Sequence, residues 1–226
     1  MNIEILHRDD LPLGGFAGLK EHRLVMSPEL FGTHINPGTW PGIAGFVYLA
    51  DARFDPNGET RMHGHKEIDV ISIMIEGRID HQGSLETGQG LEASHVQIQR
   101  AGGEGFSHNE INPDNTRNRM LQLWVQPEQA GELASYRLYK PVNGEMMRVY
   151  GGSHEQTETL ASHTIIEFGY LEPGQTYQLE KPFLAYLATG KAKVNDIDIQ
   201  EGDLFKGEQL KFIAETAVKL VIIHKI

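Results

Sequence analysis

The chain has no cysteine among its 226 residues, so disulfides, thiolate nucleophiles, iron–sulfur clusters and cysteine-bound zinc are excluded together. Any metal ion has to be held by histidine and carboxylate. Long apolar runs are missing as well: none approaches the roughly 20 residues with which a helix spans a bilayer, and a membrane protein is not expected. Positive charge is scarce, with 20 Lys and Arg against 31 Asp and Glu and a formal net charge of −11. That balance repels a phosphate backbone and no basic cluster offsets it, which argues against direct nucleic-acid binding but leaves a protein partner open. The opening residues MNIEILHRDDLPLGG lack the basic and apolar regions of a secretory signal, so a cytoplasmic location is expected.

What is present is the composition of a globular protein, 39% hydrophobic and 23% charged, in a chain long enough for one large domain or two of about 100 residues. Runs such as GFVYLADARF, DVISIMIEG, HVQIQ, RMLQLWVQ, HTIIEFGYL and KLVIIHKI are short and strand-like. Many are broken by turn residues, with no regular alternation of strand and helix, which predicts an all-β sandwich or barrel. The stretch PEQAGELASYRLYK, with Pro127 and Gly131, reads as a short helix and as a linker between two domains, 1–130 and 131–226. An internal repeat supports two similar β-barrels in tandem: ISIMIEGRIDH is matched by LAYLATGKAKV, each an apolar run ending in Gly and a basic residue.

The chemistry concentrates in the first half. Side chains at i and i+2 of a strand share a face, so His63 and His65 in RMHGHKE can meet one ion while Gly64 faces away, and the same holds for His108 and Glu110 in FSHNE. Three imidazoles and a carboxylate suit a divalent transition metal, with positions left open on a six-coordinate ion for substrate and dioxygen. The residues favour a metal and not a particular one; iron is the ion expected, and zinc, manganese, nickel, cobalt or copper could also occupy the site. Counting back from Gly190 by the spacing between Gly77 and the paired histidines lands on Thr176 and Gln178, so the second barrel is expected to be metal-free.

These residues resemble the cupin superfamily. His63, His65, Asp69 and Gly77 look like its first motif, and Gly105, His108 and Asn112 like its second. More narrowly, HGHKEIDVISIMIEGRIDHQGSLETG followed by HVQIQRAGGEGFSHNE resembles the pirin family. The resemblance implies a bicupin with a metal in the N-terminal barrel only, held by His63, His65, His108 and Glu110. There are departures: Gly64 stands where proline is usual, Asp69 where glutamate is, and Ser94-His95 where the family has a Gly-Asp turn.

Some pirin-like proteins are similar to quercetin 2,3-dioxygenases, which implies a metal-dependent dioxygenase acting on a small aromatic substrate such as a flavonol with O₂, with Glu110 as the catalytic base. The alternative is a metal-loaded regulatory protein that acts through a protein partner without turnover. Small-acid chemistry ranks third, because only Arg61 and Lys66 stand out as cations near the site. A chain carrying both barrels is expected to act as a monomer. Of the other histidines, His81 and His95 read as solvated or hydrogen-bonded, not as ligands. Asp69 reads either as an acid orienting an imidazole or as a strand start, the Arg117/Arg119 pair as a solvated turn, and Met74, Phe106 and Trp124 as core.

Overall fold

Two apolar runs that end in glycine frame the architecture. In the computed structural model, which describes residues 2–85 and 90–226, each run is a buried strand followed by a turn. The turn glycines, Gly77 (φ 72°) and Gly190 (φ 88°), occupy the left-handed region that glycine enters without steric cost. The repeat seen in the sequence is therefore a structural one.

The chain divides into two compact units, Leu11–Lys140 and a second made of Met1–Asp10 with Pro141–Ile226. Strand β1 (Glu4–His7) belongs to the second unit. The first holds β2 (Leu13–Phe16), β3 (Leu19–Met26), β4 (Phe46–Phe54), β5 (His63–His65), β6 (Asp69–Glu76), β7 (Arg78–Gly83), β8 (Leu91–Glu92), β9 (Val96–Arg100), β10 (Phe106–Ile111), β11 (Arg119–Val125) and β12 (Ser135–Tyr139). They form a seven-stranded sheet, β12-β9-β6-β11-β4-β3-β2, and a four-stranded sheet, β5-β10-β7-β8. The second unit continues with β13 (Met146–Gly152), β14 (Ser162–Leu171), β15 (Thr176–Leu179), β16 (Phe183–Thr189), β17 (Lys191–Val194), β18 (Ile197–Gln200), β19 (Asp203–Gly207), β20 (Leu210–Ala214) and β21 (Val218–Lys225). Its sheets run β1-β19-β16-β21-β14-β13 and β15-β20-β17-β18. The all-β character is what the strand spacing predicts, the two units are what the internal repeat predicts, and the paired jelly-roll sheets are what the cupin resemblance implies.

The segment read as a helix and linker is neither. Gly131 turns the chain at φ 81°, and Ser135–Tyr139 pairs antiparallel with Val96–Arg100, which binds residues up to 140 to the first unit. Pairing of Glu4–His7 with Asp203–Gly207 likewise carries the first ten residues into the second. The units thus meet the chain at 10/11 and 140/141, against the 130/131 boundary drawn from the sequence.

The interiors differ in kind. In the second unit Phe183, Ala185, Leu187, Phe205, Leu210, Phe212, Leu220 and Ile222 form one apolar core, onto which Tyr177 and Leu179 of β15 pack. Thr176 and Gln178, the counterparts of the paired histidines, are exposed. In the first unit β6 sends Val70 and Met74 into two separate apolar clusters, with Ser72 between them hydrogen-bonded to Glu110. Ser72, His81, Gln97, Gln99, His108 and Glu110 are all buried, so this interior is polar where its counterpart is apolar.

Two ion pairs are sealed into the seven-stranded sheet. Arg119 donates from Nε and Nη2 to the two oxygens of Asp51 at 2.9 and 2.6 Å, both residues being 1% exposed or less. Arg119 is therefore not part of a solvated turn; Arg117, largely exposed, pairs with Asp55. Asp69 is bonded by the guanidinium of Arg100 at 2.9 Å, which also reaches Glu132. Breaking a buried pair from one side leaves an uncompensated charge. Asp51→Ala is expected to lower the stability of the chain by about 3–5 kcal/mol in urea unfolding, whereas joint replacement of Asp51 and Arg119 by leucine costs less. An Asp51→Ala chain as stable as the parent contradicts this account of the pair.

Candidate metal centre

β5 and β10 are antiparallel neighbours with His65 opposite Phe106, Gly64 opposite Ser107 and His63 opposite His108. His63 and His108 therefore share a cross-strand pair, and His65 is on the same face two residues along. The Nε2 atom of His108 is 3.0 Å from that of His63 and 3.1 Å from that of His65. Among the described residues these three are the group of possible ligands whose donor atoms all lie within 4.8 Å of one another.

The donor set fits a divalent transition ion. Two nitrogens each about 2.1 Å from one ion are about 3.0–3.4 Å apart, so the observed spacings fall in the range that two ligands of one ion take. Burial, and then the neighbouring His63, lowers the pKa of His65 to about 4. Burial, followed by the charges of His65, His63 and His81, lowers that of His108 to about 2. Both imidazoles are thus neutral near pH 7. The tautomers are held from behind: Nδ1 of His63 donates to the Arg61 carbonyl at 2.9 Å, leaving its Nε2 lone pair toward the cluster.

Glycines make room for this arrangement. Gly83 is opposite His108 on the other side of β10, and a Cβ there would be 2.3 Å from the Ser107 carbonyl oxygen and 3.0 Å from His108 Cβ. At Gly64 a Cβ would make only ordinary contacts, the nearest at 3.6 Å, so the departure from proline leaves the strand undisturbed.

Glu110 shares the His108 face of β10 and is buried beside the cluster, outside the three-histidine group. Its carboxyl accepts from Ser72 Oγ at 3.2 Å and from the Gln122 amide at 3.4 Å. Burial raises its pKa to about 7 against the opposing effect of these two donors. His81, across from Glu110 on β7, is buried with its Nε2 3.0 Å from His108 Nδ1, in the hydrogen-bonded role expected of it.

A cavity of about 430 Å³ opens onto His63 and His65. Its wall includes Phe31, Tyr48 and Trp124; Trp124 stacks on Tyr48 with ring centroids 4.5 Å apart and meets His65 edge-on at 5.4 Å. Trp124 is therefore cavity wall as well as core, whereas Met74 is core. Sequence reading did not find Glu21 and Arg23, which also line the cavity. Arg23 donates from Nε and Nη2 to Glu21 Oε1 at 2.8 Å, and Tyr48 donates to Oε2 at 3.1 Å. The charge of this arginine is compensated within the wall, so its presence does not raise the small-acid reading. The alternation of Glu21 and Arg23 along β3 was the available signal, but their cavity is assembled with four other strands, β2, β4, β5 and β11.

The family model described as Pirin matches residues 27–125. Over 163 residues the chain is 30% identical to a provisionally designated quercetin 2,3-dioxygenase of Zymomonas mobilis, covering 68% of this chain and 69% of that protein. It is 33% identical over 88 residues to a quercetin 2,3-dioxygenase of Escherichia coli, 38% of each chain. In structure it is similar to the bacterial pirin YhhW of Escherichia coli in complex with nickel(II), with a TM-score of 0.84, 17% identity and 98% of both chains covered. A quercetin 2,3-dioxygenase of Acinetobacter baumannii matches with a TM-score of 0.72 and 16% identity, over 98% of this chain and 85% of that one. The Glu86–Gly88 end of the family-like stretch lies outside the described residues.

If the three histidines hold an ion, metal analysis after loading with Ni²⁺ and desalting should find one ion per chain, and His108→Ala should abolish it. Gly83→Ala, which removes no donor, should also weaken uptake by pressing on His108. Undiminished uptake by His108→Ala would place the ion elsewhere.

Proposed function

The chain belongs to the pirin family, and on that premise we propose that it is a metal-dependent dioxygenase that opens the ring of a flavonol-type substrate with O₂, with iron as the metal. The observation that carries this reading is the convergence of three imidazoles, two of them on the wall of an aromatic-lined cavity, with a buried carboxyl group beside them. His63, His65, His108 and Glu110 would hold the ion. When bound, it supplies Lewis-acid chemistry toward the substrate oxygen and a redox partner for dioxygen.

The chain's own residues do the rest. His65 and His108, neutral near pH 7, present lone pairs without having to shed protons first. Glu110 takes the hydroxyl proton of the substrate, and Gln122, which both lines the cavity and bonds Glu110, orients that carboxylate. Phe31, Tyr48 and Trp124 give a planar ring an apolar wall and displace water from the reacting atoms. In this reading the protein works as a cytoplasmic monomer, with the ion in the Leu11–Lys140 unit alone.

The test is quercetin turnover with O₂ uptake by protein reconstituted with Fe²⁺ under anaerobic conditions. Turnover should require the metal and vanish in His63→Ala and His65→Ala, and Glu110→Gln should lower kcat by about 10²–10⁴-fold. Full activity in metal-free protein contradicts the proposal. One bound ion with no turnover moves the assignment to a metal-loaded regulator acting through a protein partner.

A further inference from the structure

Behind the metal centre a line of hydrogen bonds runs through the interior of the first unit, from β12 at the edge of the seven-stranded sheet to His108. Tyr136 Oη donates to Gln97 Oε1 at 3.5 Å, and the Gln97 amide donates to Gln99 Oε1 at 2.8 Å. The Gln99 amide donates in turn to His81 Nε2 at 3.2 Å, and that nitrogen is 3.0 Å from His108 Nδ1. Gln97, Gln99 and His81 are each 2% exposed or less, so the line is shielded from bulk solvent.

The direction of these bonds matters more than their number. A neutral imidazole has one donor and one acceptor nitrogen. For His108 Nε2 to offer a lone pair beside His63 and His65, its proton has to sit on Nδ1, and His81 Nε2 has to accept it. The His81–His108 pair does not decide this by itself. With both tautomers reversed, His81 Nε2 would donate to His108 Nδ1 over the same 3.0 Å, and a proton would close His108 Nε2 to any ion.

With Tyr136 Oη as the donor at the far end of the line, the two glutamines, as the structure orients them, favour the first arrangement. Because Gln97 presents its NH₂ group to Gln99 Oε1, Gln99 turns its own NH₂ group, and not its oxygen, toward His81. A reversed His81 would then set N–H against N–H in a buried site. Gln97 and Gln99 stand two residues apart on β9, on one face of the strand, which is what lets them hand the bond on.

We propose that His81, Gln99 and Gln97 are positioning residues that hold His108 in the tautomer whose Nε2 lone pair faces the other two histidines. The proposal rests on the metal reading of that cluster and adds to it the residues that make the third ligand competent. None of the three touches the ion in this account; each acts through His108.

The test is calorimetric titration of metal-free protein with Ni²⁺, comparing wild type with His81→Leu, Gln99→Leu and His81→Gln. Affinity should fall about 10- to 100-fold in His81→Leu, the range for loss of a ligand's outer partner. Gln99→Leu should also weaken binding. His81→Gln should recover much of the loss, because its amide oxygen can accept from His108 Nδ1. Unchanged affinity in both leucine variants overturns the proposal while leaving the metal site standing; wild-type protein that binds no Ni²⁺ overturns the metal reading as well. A second measurement needs no variant: long-range ¹H–¹⁵N spectra of Zn²⁺-loaded wild-type protein should show the proton of both His81 and His108 on Nδ1, and a proton on His81 Nε2 overturns the proposal.

Discussion

The register of β5 against β10 is the constraint from which the site follows. His63 meets His108 because the two are opposite each other, and His65 joins them because strand side chains repeat every second residue. A slip of one residue would turn the paired imidazoles to the other face and present Gly64 instead. Several contacts hold the register. Beyond the end of β5, Thr60 donates from its backbone N–H to the Glu110 carbonyl, and its Oγ1 accepts from the Glu110 N–H, each at 3.0 Å. Before β10, the backbone comes so close at Gly105 that a Cβ would be 2.8 Å from the His65 carbonyl oxygen. On the far side, Gly83 lets β7 lie against His108.

The second consequence concerns what an interior is made of. A polar side chain taken from water without a partner costs free energy, and a half-satisfied polar interior is worse than an apolar one. The second unit takes the simpler course and fills its interior with Phe, Leu, Ile, Val and Ala. The first unit keeps Ser72, His81, Gln97, Gln99, His108 and Glu110 inside and bonds them to one another across the two sheets. That arrangement gives His108 and Glu110 fixed orientations, while burial and the neighbouring histidines keep His65 and His108 neutral near pH 7. Two units of one architecture thus differ inside, one interior polar and hydrogen-bonded and the other apolar.

Much of this was legible in the amino-acid sequence, for reasons that also mark where legibility ended. His63 with His65 and His108 with Glu110 could be read because alternation along a strand is local. The Gly77 and Gly190 repeat could be read because a positive φ has a residue signature. Partners chosen across sheets leave no such trace. His81 meets His108 and Gln99, and Glu21 meets Arg23 and Tyr48, through pairings that only the folded sheets bring about. Arg119 sits beside the turn residues NPDN and reads as exposed, yet it opens a central strand and is buried against Asp51. The segment from Pro127 to Lys140 reads as a helix because its residues favour one, but Gly131 and the free edge of β9 draw its second half into the sheet.

The central claim is that one transition-metal ion is bound by the Nε2 atoms of His63, His65 and His108 together with Glu110. The direct measurement is anomalous diffraction from a crystal of the Fe²⁺-loaded chain at the iron edge. The account predicts a single anomalous peak within coordination distance of those three nitrogens and of a Glu110 oxygen. A peak at any other cluster, or coordination through His108 Nδ1, would contradict it.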